Sequence, residues 1–141
     1  MKTPAQLCVE HARTYVGTKW RHRGRKPWAI DCVGILVLSV AAGGVQMRDR
    51  RDYGREPWND GLQRELEDHF GAPVDDMQPG DVVLMQWRDK PAPSHVGIIG
   101  DYCHGGLSII HAHNDFGVAE HRIDDEWRKL IVATYRPWGG A

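Results

Sequence analysis

The chain has 141 residues and a mass of 16.0 kDa, the size of one domain, and it reads as a single unit over 1–141. Hydrophobic residues make up 41% and charged residues 26%, which excludes a disordered chain or a collagen-like repeat. The net charge of −1 is unevenly spread: positions 1–56 carry 11 Lys+Arg against 5 Asp+Glu, and positions 57–141 carry 7 against 14. With the total near zero and no nucleic-acid motif, no nucleic-acid partner is expected.

Thr3 and Pro4 open the chain as an N-cap and a first helical residue, with Gln6 at the capping-box position. Leu7, Cys8, Ala12, Tyr15 and Val16 recur at helical spacing up to Gly17, which predicts a first helix. The region 1–10 has no apolar stretch of the kind a signal peptide needs, so the expected place of synthesis is the cytoplasm without export by that route. Positions 18–30 are basic, contain Gly24 and Pro27, and read as a loop. Lys19, Arg21, Arg23, Arg25 and Lys26 in it form either an anion site or a solvated surface.

Asp31 then precedes an almost unbroken apolar run over 32–42 that stops at Gly43 and Gly44. Apolar on every side, it predicts a buried helix of about three turns, too short to span a membrane. Positions 46–58 read as an Arg-rich loop. Leu62, Leu66 and Phe70 predict a third helix ending at Gly71. Beyond Pro79 and Gly80 the period changes, with β-rich segments at 81–87, 95–100, 107–113, 118–123 and 130–136. Helices first and antiparallel strands after make an α+β domain with a five- to six-stranded sheet.

Three cysteines with no CxxC suggest neither a disulfide framework nor a zinc ribbon. Cys32 falls at the expected N-terminus of the buried helix, where unpaired N–H groups and the helix dipole favour a thiolate. Segments 95–100 and 107–112, paired as a hairpin, have partner positions summing to 206–207. That register sets His95 opposite His111 or its neighbour, within about 5.5 Å. A cysteine on a helix N-terminus facing such a histidine is the arrangement of a thiol protease. Cys8 reads as core packing, and Cys103 as core or a surface thiol. His113 shares a face with His111, and a His-x-His pair is also compatible with a metal, with Cys32 or His95 as third ligand. His11, His22, His69, His104 and His121 read as surface or loop residues. Asp31 also suits a plain N-cap. Trp20, Trp28 and Trp87 fit either a groove wall or the core.

Gly17-Thr18-Lys19-Trp20, Arg23-Gly24-Arg25, Asp31-Cys32-Val33-Gly34, Pro79-Gly80-Asp81, Ser94-His95-Val96-Gly97-Ile98 and Ile110-His111-Ala112 follow one another along the chain. In that order they resemble the motifs of the NlpC-type cell-wall cysteine peptidases. The resemblance implies a papain-like fold and cleavage of peptidoglycan stem peptides, commonly at the D-γ-glutamyl–diaminopimelate bond. It implies Cys32 as nucleophile, His95 as base and then acid, and His111 as the orienting residue, with no metal or other cofactor. The forms at 22–25 and 31–34 look most like the subgroup encoded with phage-type tails. That subgroup implies tail-tip or baseplate partners and action in the periplasm or wall of a target cell. In many members a Tyr, the Asp before the cysteine and a Ser bind the free amine of the stem. The matching positions here are Trp20, Asp31 and Val33, so Asp31 alone keeps the polar group. A second reading is a structural tail-assembly module that retains the fold. Exposed apolar positions in 46–60, or Trp138, are the expected partner surface for it.

Overall fold

The computed structural model describes residues 1–54 and 61–138. Helix α1 (Pro4–Arg13) begins as expected: Thr3 accepts from the Gln6 N–H, and the Gln6 side chain accepts from the Thr3 N–H. Three two-residue strands follow, β1 (Lys19–Trp20), β2 (Arg25–Lys26) and β3 (Ala29–Ile30), in a small sheet of order β1-β3-β2. They occupy the stretch expected to be a loop. Two-residue strands are too short to show a period of two, so no sequence pattern marked them.

Helix α2 (Cys32–Ala42) is apolar on every side because it is covered on every side. It packs against α1, β2 and strands of the main sheet. Ile35, Leu36 and Val40 are fully buried or nearly so, and each such side chain contributes about 1.5–3 kcal/mol. Helix α3 (Gly61–Phe70) turns Leu62 and Leu66 inward. The expected loop at 46–58 lies outside the described residues beyond position 54.

The main sheet contains β4 (Val82–Met85), β5 (His95–Asp101), β6 (Leu107–His113), β7 (Gly117–Arg122) and β8 (Ile131–Tyr135), all antiparallel, in the order β7-β6-β5-β4-β8. This is the α+β, papain-like architecture with five strands in its main sheet. A short helix, α4 (Asp125–Arg128), joins β7 to β8 and was not foreseen. One sheet face, with Val96, Ile98, Ile110 and Ala112, meets the helices. The other, with Val83, Met85, Ile99 and Ile109, is covered by Met77, Trp127 and Leu130. Trp138 packs on the first core and its indole N–H donates to the Gly80 carbonyl, so it is part of the fold rather than an exposed partner surface.

Gly34 sets how close α2 can come to the small sheet. A Cβ there would lie 2.4 Å from the Gly24 carbonyl oxygen and 2.7 Å from Ile30 Cγ1. Backbone cannot yield as a side-chain tip can. Gly34→Ala is therefore expected to destabilise the protein by about 1–3 kcal/mol through overpacking. Urea denaturation of both forms checks this, and an unchanged midpoint would contradict the packing argument.

Candidate active site

Asp31 caps α2 and does more than cap it. Its Oδ1 accepts from the Gly34 N–H at 2.8 Å and from Arg25 Nη1 at 2.9 Å. Its Oδ2 accepts from the Arg23 N–H at 2.8 Å and from the Tyr53 hydroxyl at 2.5 Å. The carboxylate is buried with all four acceptor positions filled, which is the way a buried charge is tolerated. Arg23 adopts a left-handed backbone, φ 61°, to point its N–H at Asp31, and its guanidinium grips the Tyr53 carbonyl. Arg25 also holds Asp49 and the Tyr53 hydroxyl. Arg23 and Arg25, two of the five cations offered as an anion site, are thus engaged within the protein.

This cap presents Cys32 at the first turn of α2, beside the start of β5. A cleft of about 510 Å³ opens there, lined by Cys32, His95, Trp20, Trp87, Ser94 and His113 among others. The β5–β6 ladder runs from Asp101↔Leu107 only to Ile98↔Ile110. His95 lies beyond its end, where a side chain on one face of the sheet and a thiol arriving from the helix side share one opening. The register sum is 208, slightly beyond the expected 206–207, so His95 and His111 meet diagonally rather than directly opposite. The contact forms all the same: His95 Nε2 lies 2.7 Å from His111 Nδ1. Gly97 makes room, since a Cβ there would sit 2.7 Å from Ile109 and 3.3 Å from His111 Cβ.

His121, read as a surface residue, is a neighbour of this pair. Its Nε2 lies 2.8 Å from His111 Nε2. Strand alternation held the clue, because β6 and β7 pair His111 with Ala119 and Ile109 with His121, on the same face. Trp127 stands against both rings, with centroids 4.3 Å from His121 and 5.3 Å from His111. Trp87 lies 4.9 Å from His95, and Phe116 stacks on His113 at 4.2 Å. Both ring nitrogens of His111 are thereby used within the histidine chain, so they do not converge on a shared ion. Among the described residues no group of three or more His, Cys, Asp or Glu is arranged to hold a metal.

The expected substrate contacts divide. Trp20 lines the cleft and is half-buried. Asp31 and Val33 do not line it: Asp31 is consumed by its four donors, and Val33 lies in the main core. Of the other two tryptophans offered as groove walls, Trp87 lines the cleft and Trp28 is exposed on the β2–β3 turn. Cys8 is buried in the core and Cys103 is exposed.

Burial decides the resting charge state. It pushes the Cys32 thiol up to about 12, with the Asp31 charge adding to the rise, while the N–H groups of Val96 and Val33 act the other way. Burial likewise pulls His95 down to about 3 and His111 down to about 2. The helix-terminus argument expected a resting thiolate. Desolvation works against it, favouring the neutral thiol and the neutral imidazole. Moving the proton from Cys32 to His95 creates both charges at once, and their attraction in a dry site offsets the cost of either alone.

The family model of the NlpC/P60 family matches residues 17–136. The chain belongs to the NlpC/P60 family. Solved structures of similar fold include NlpC2 from Trichomonas vaginalis, at 19% identity and a TM-score of 0.70 over 99% of this chain and 48% of that one. An NlpC/P60 family protein from Bacillus cereus gives 16% identity and a TM-score of 0.69, covering 95% of this chain and 40% of that one. The NlpC/p60 domain of the peptidoglycan hydrolase SagA gives 18% and 0.60, covering 93% and 97%. At these identities the likeness concerns the fold. The chain spans less than half of the first two proteins and nearly all of the SagA domain. No curated protein matches it by sequence.

The buried histidines give the fold a pH dependence. Below 6.5 the unfolded chain takes up protons that His95 and His111 refuse in the fold. Stability is therefore full above 6.5 and falls as the pH drops towards about 3, by about 1.4 kcal/mol per pH unit for each ring. Urea midpoints between neutral pH and about pH 5, above the carboxylate range, should decline, and His111→Asn should flatten the decline. A wild-type profile level across that window would show that these rings charge freely in the fold.

Proposed function

We propose that this protein is a cysteine endopeptidase that hydrolyses peptidoglycan stem peptides. The observation that carries the reading is the meeting, in one cleft, of Cys32 on a buried helix terminus and His95 backed by His111. In this mechanism His95 takes the Cys32 proton as sulfur attacks the amide carbonyl. The Cys32 backbone N–H is one donor to the developing oxyanion. Protonated His95 then delivers its proton to the departing amine, leaving an acyl-enzyme on sulfur. Water, deprotonated by His95, attacks that thioester, and the thiol is regained. None of these steps uses a metal or other cofactor.

The motif resemblance supports the D-γ-glutamyl–diaminopimelate bond as the target. The forms at 22–25 and 31–34 support a role at a phage-type tail tip, with tail or baseplate proteins as partners. In that role the chain is made in the cytoplasm, carried in the tail and active in the wall or periplasm of the target cell. Purified peptidoglycan incubated with the protein and analysed by mass spectrometry should yield stems cut at that bond. Cys32→Ala should yield none while keeping the circular dichroism spectrum and melting temperature of the wild type. Product formation by the Ala variant would sink the mechanism.

The engaged state of Asp31 supports a statement about specificity. A free stem amine is an ammonium group, costly to bury without acceptors. Asp31 offers none that is unoccupied, Trp20 has no hydroxyl, and Val33 lies in the core. Stems still attached to glycan should therefore be cut at least as well as free stems of the same sequence. Measured kcat/KM on a tetrapeptide and on the matching muropeptide makes the comparison. A tenfold preference for the free peptide, about 1.4 kcal/mol in transition-state binding, would show that an amine subsite exists elsewhere in the cleft.

A further inference from the structure

The hydrogen bonds behind His95 continue past His111, and the far end of the chain carries a polarity. His121 Nδ1 lies 3.1 Å from the Arg122 carbonyl oxygen. A carbonyl only accepts, so Nδ1 of His121 bears the hydrogen. In the neutral ring Nε2 is then an acceptor, and the nitrogen facing it, His111 Nε2, must donate across 2.8 Å. That assignment leaves His111 Nδ1 as an acceptor, so His95 Nε2 must donate to it across 2.7 Å. The one ring nitrogen of His95 without a hydrogen is then Nδ1. One backbone carbonyl in β7 thus sets the tautomer of three rings in series.

We propose that His121 is a positioning residue: by accepting from His111 it holds His95 in the tautomer whose Nδ1 can take the Cys32 proton. The inference rests on the reading of Cys32 and His95 as the reacting pair, and it assigns His121 no contact with substrate. His95 and His111 are buried, so water does not readily substitute for a lost partner. Trp127 lies against His111 and His121 and limits ring rotation. Without an acceptor at position 121, His111 is released to place its hydrogen on Nδ1. That hydrogen would face His95 Nε2, make it the acceptor, and move the His95 hydrogen to Nδ1, where it blocks proton uptake from sulfur. An orienting residue that sets the wrong tautomer is costly to catalysis even when the geometry is kept.

The test compares His121→Leu, which removes the acceptor at similar size, with His121→Gln, whose amide oxygen can accept from His111. Three measurements are made on each full-length protein: kcat and KM on peptidoglycan fragments, the alkylation rate of Cys32 by iodoacetamide, and the nitrogen chemical shifts of His95 and His111. The Leu variant should lose at least about tenfold in kcat with little change in KM. Its Cys32 should alkylate more slowly, and its His95 hydrogen should move from Nε2 towards Nδ1. The Gln variant should recover most of all three.

Wild-type tautomers in a folded Leu variant would overturn the proposal, as would a Gln variant no better than Leu. So would a loss of activity that follows melting temperature alone. The shifts and the alkylation rate need no substrate. If wild type proved inactive on peptidoglycan while the Leu variant still shifted the His95 tautomer, the proposed substrate would fail and the positioning role would stand.

Discussion

The site depends on one buried carboxylate. Asp31 gathers four donors, from Gly34 in α2, Arg23 and Arg25 in the small sheet region, and Tyr53 beyond α2. An ionised carboxylate in a dry interior is tolerable only when fully hydrogen-bonded, so the surrounding chain is held to one geometry. That geometry places the next residue, Cys32, in the wall of the cleft. Removing the Arg25 guanidinium, the charged partner of this buried pair, is of the kind that typically costs about 3–5 kcal/mol, because the carboxylate loses its counter-charge. The left-handed backbone at Arg23 and the missing side chain at Gly34 both serve this convergence.

Burial that stabilises the fold also shapes the chemistry. The same desolvation that makes α2 a good core helix forbids an isolated thiolate at its terminus, and neighbouring β5 holds His95 neutral for the same reason. A site of this kind is poised by geometry rather than by resting charge. The proposed mechanism requires His95 in the right tautomer, and the chain His95–His111–His121 ends on a carbonyl that can specify one. The aromatic rings of Trp87 and Trp127 pack against that chain, whose His95 and His111 are buried.

The cleft is continuous with the fold rather than added to it. Strands β5 and β6 pair only up to Ile98↔Ile110, and His95 and His111 occupy the stretches that the ladder leaves open. Gly97 relieves the crowding that His111 and Ile109 would otherwise meet. Trp20 reaches the same cleft from the small sheet, which β1–β7 contacts hold against the main one.

Much of this was legible in the sequence. The capping box at Thr3, the all-round apolar run after Asp31 and the short β-rich segments after Gly80 are local patterns, and local patterns specify local structure. They located α1, α2 and the five main strands to within about three residues. The pairing of His95 with His111 followed from hairpin arithmetic, though one or two positions of register moved the contact to a diagonal. Three features were decided only by tertiary structure. The two-residue strands β1–β3 exist because α2 and Asp31 pin them, not because of any period. Asp31 and Val33 face inward because their neighbours in space, not in sequence, saturate one and cover the other. His121 joins the site because β7 returns beside β6, and a side chain's face is known only once its register is. Sequence determines which groups are present and which segment carries them. Burial and pairing, which are non-local, decide their charge, their partners and whether they reach the cleft.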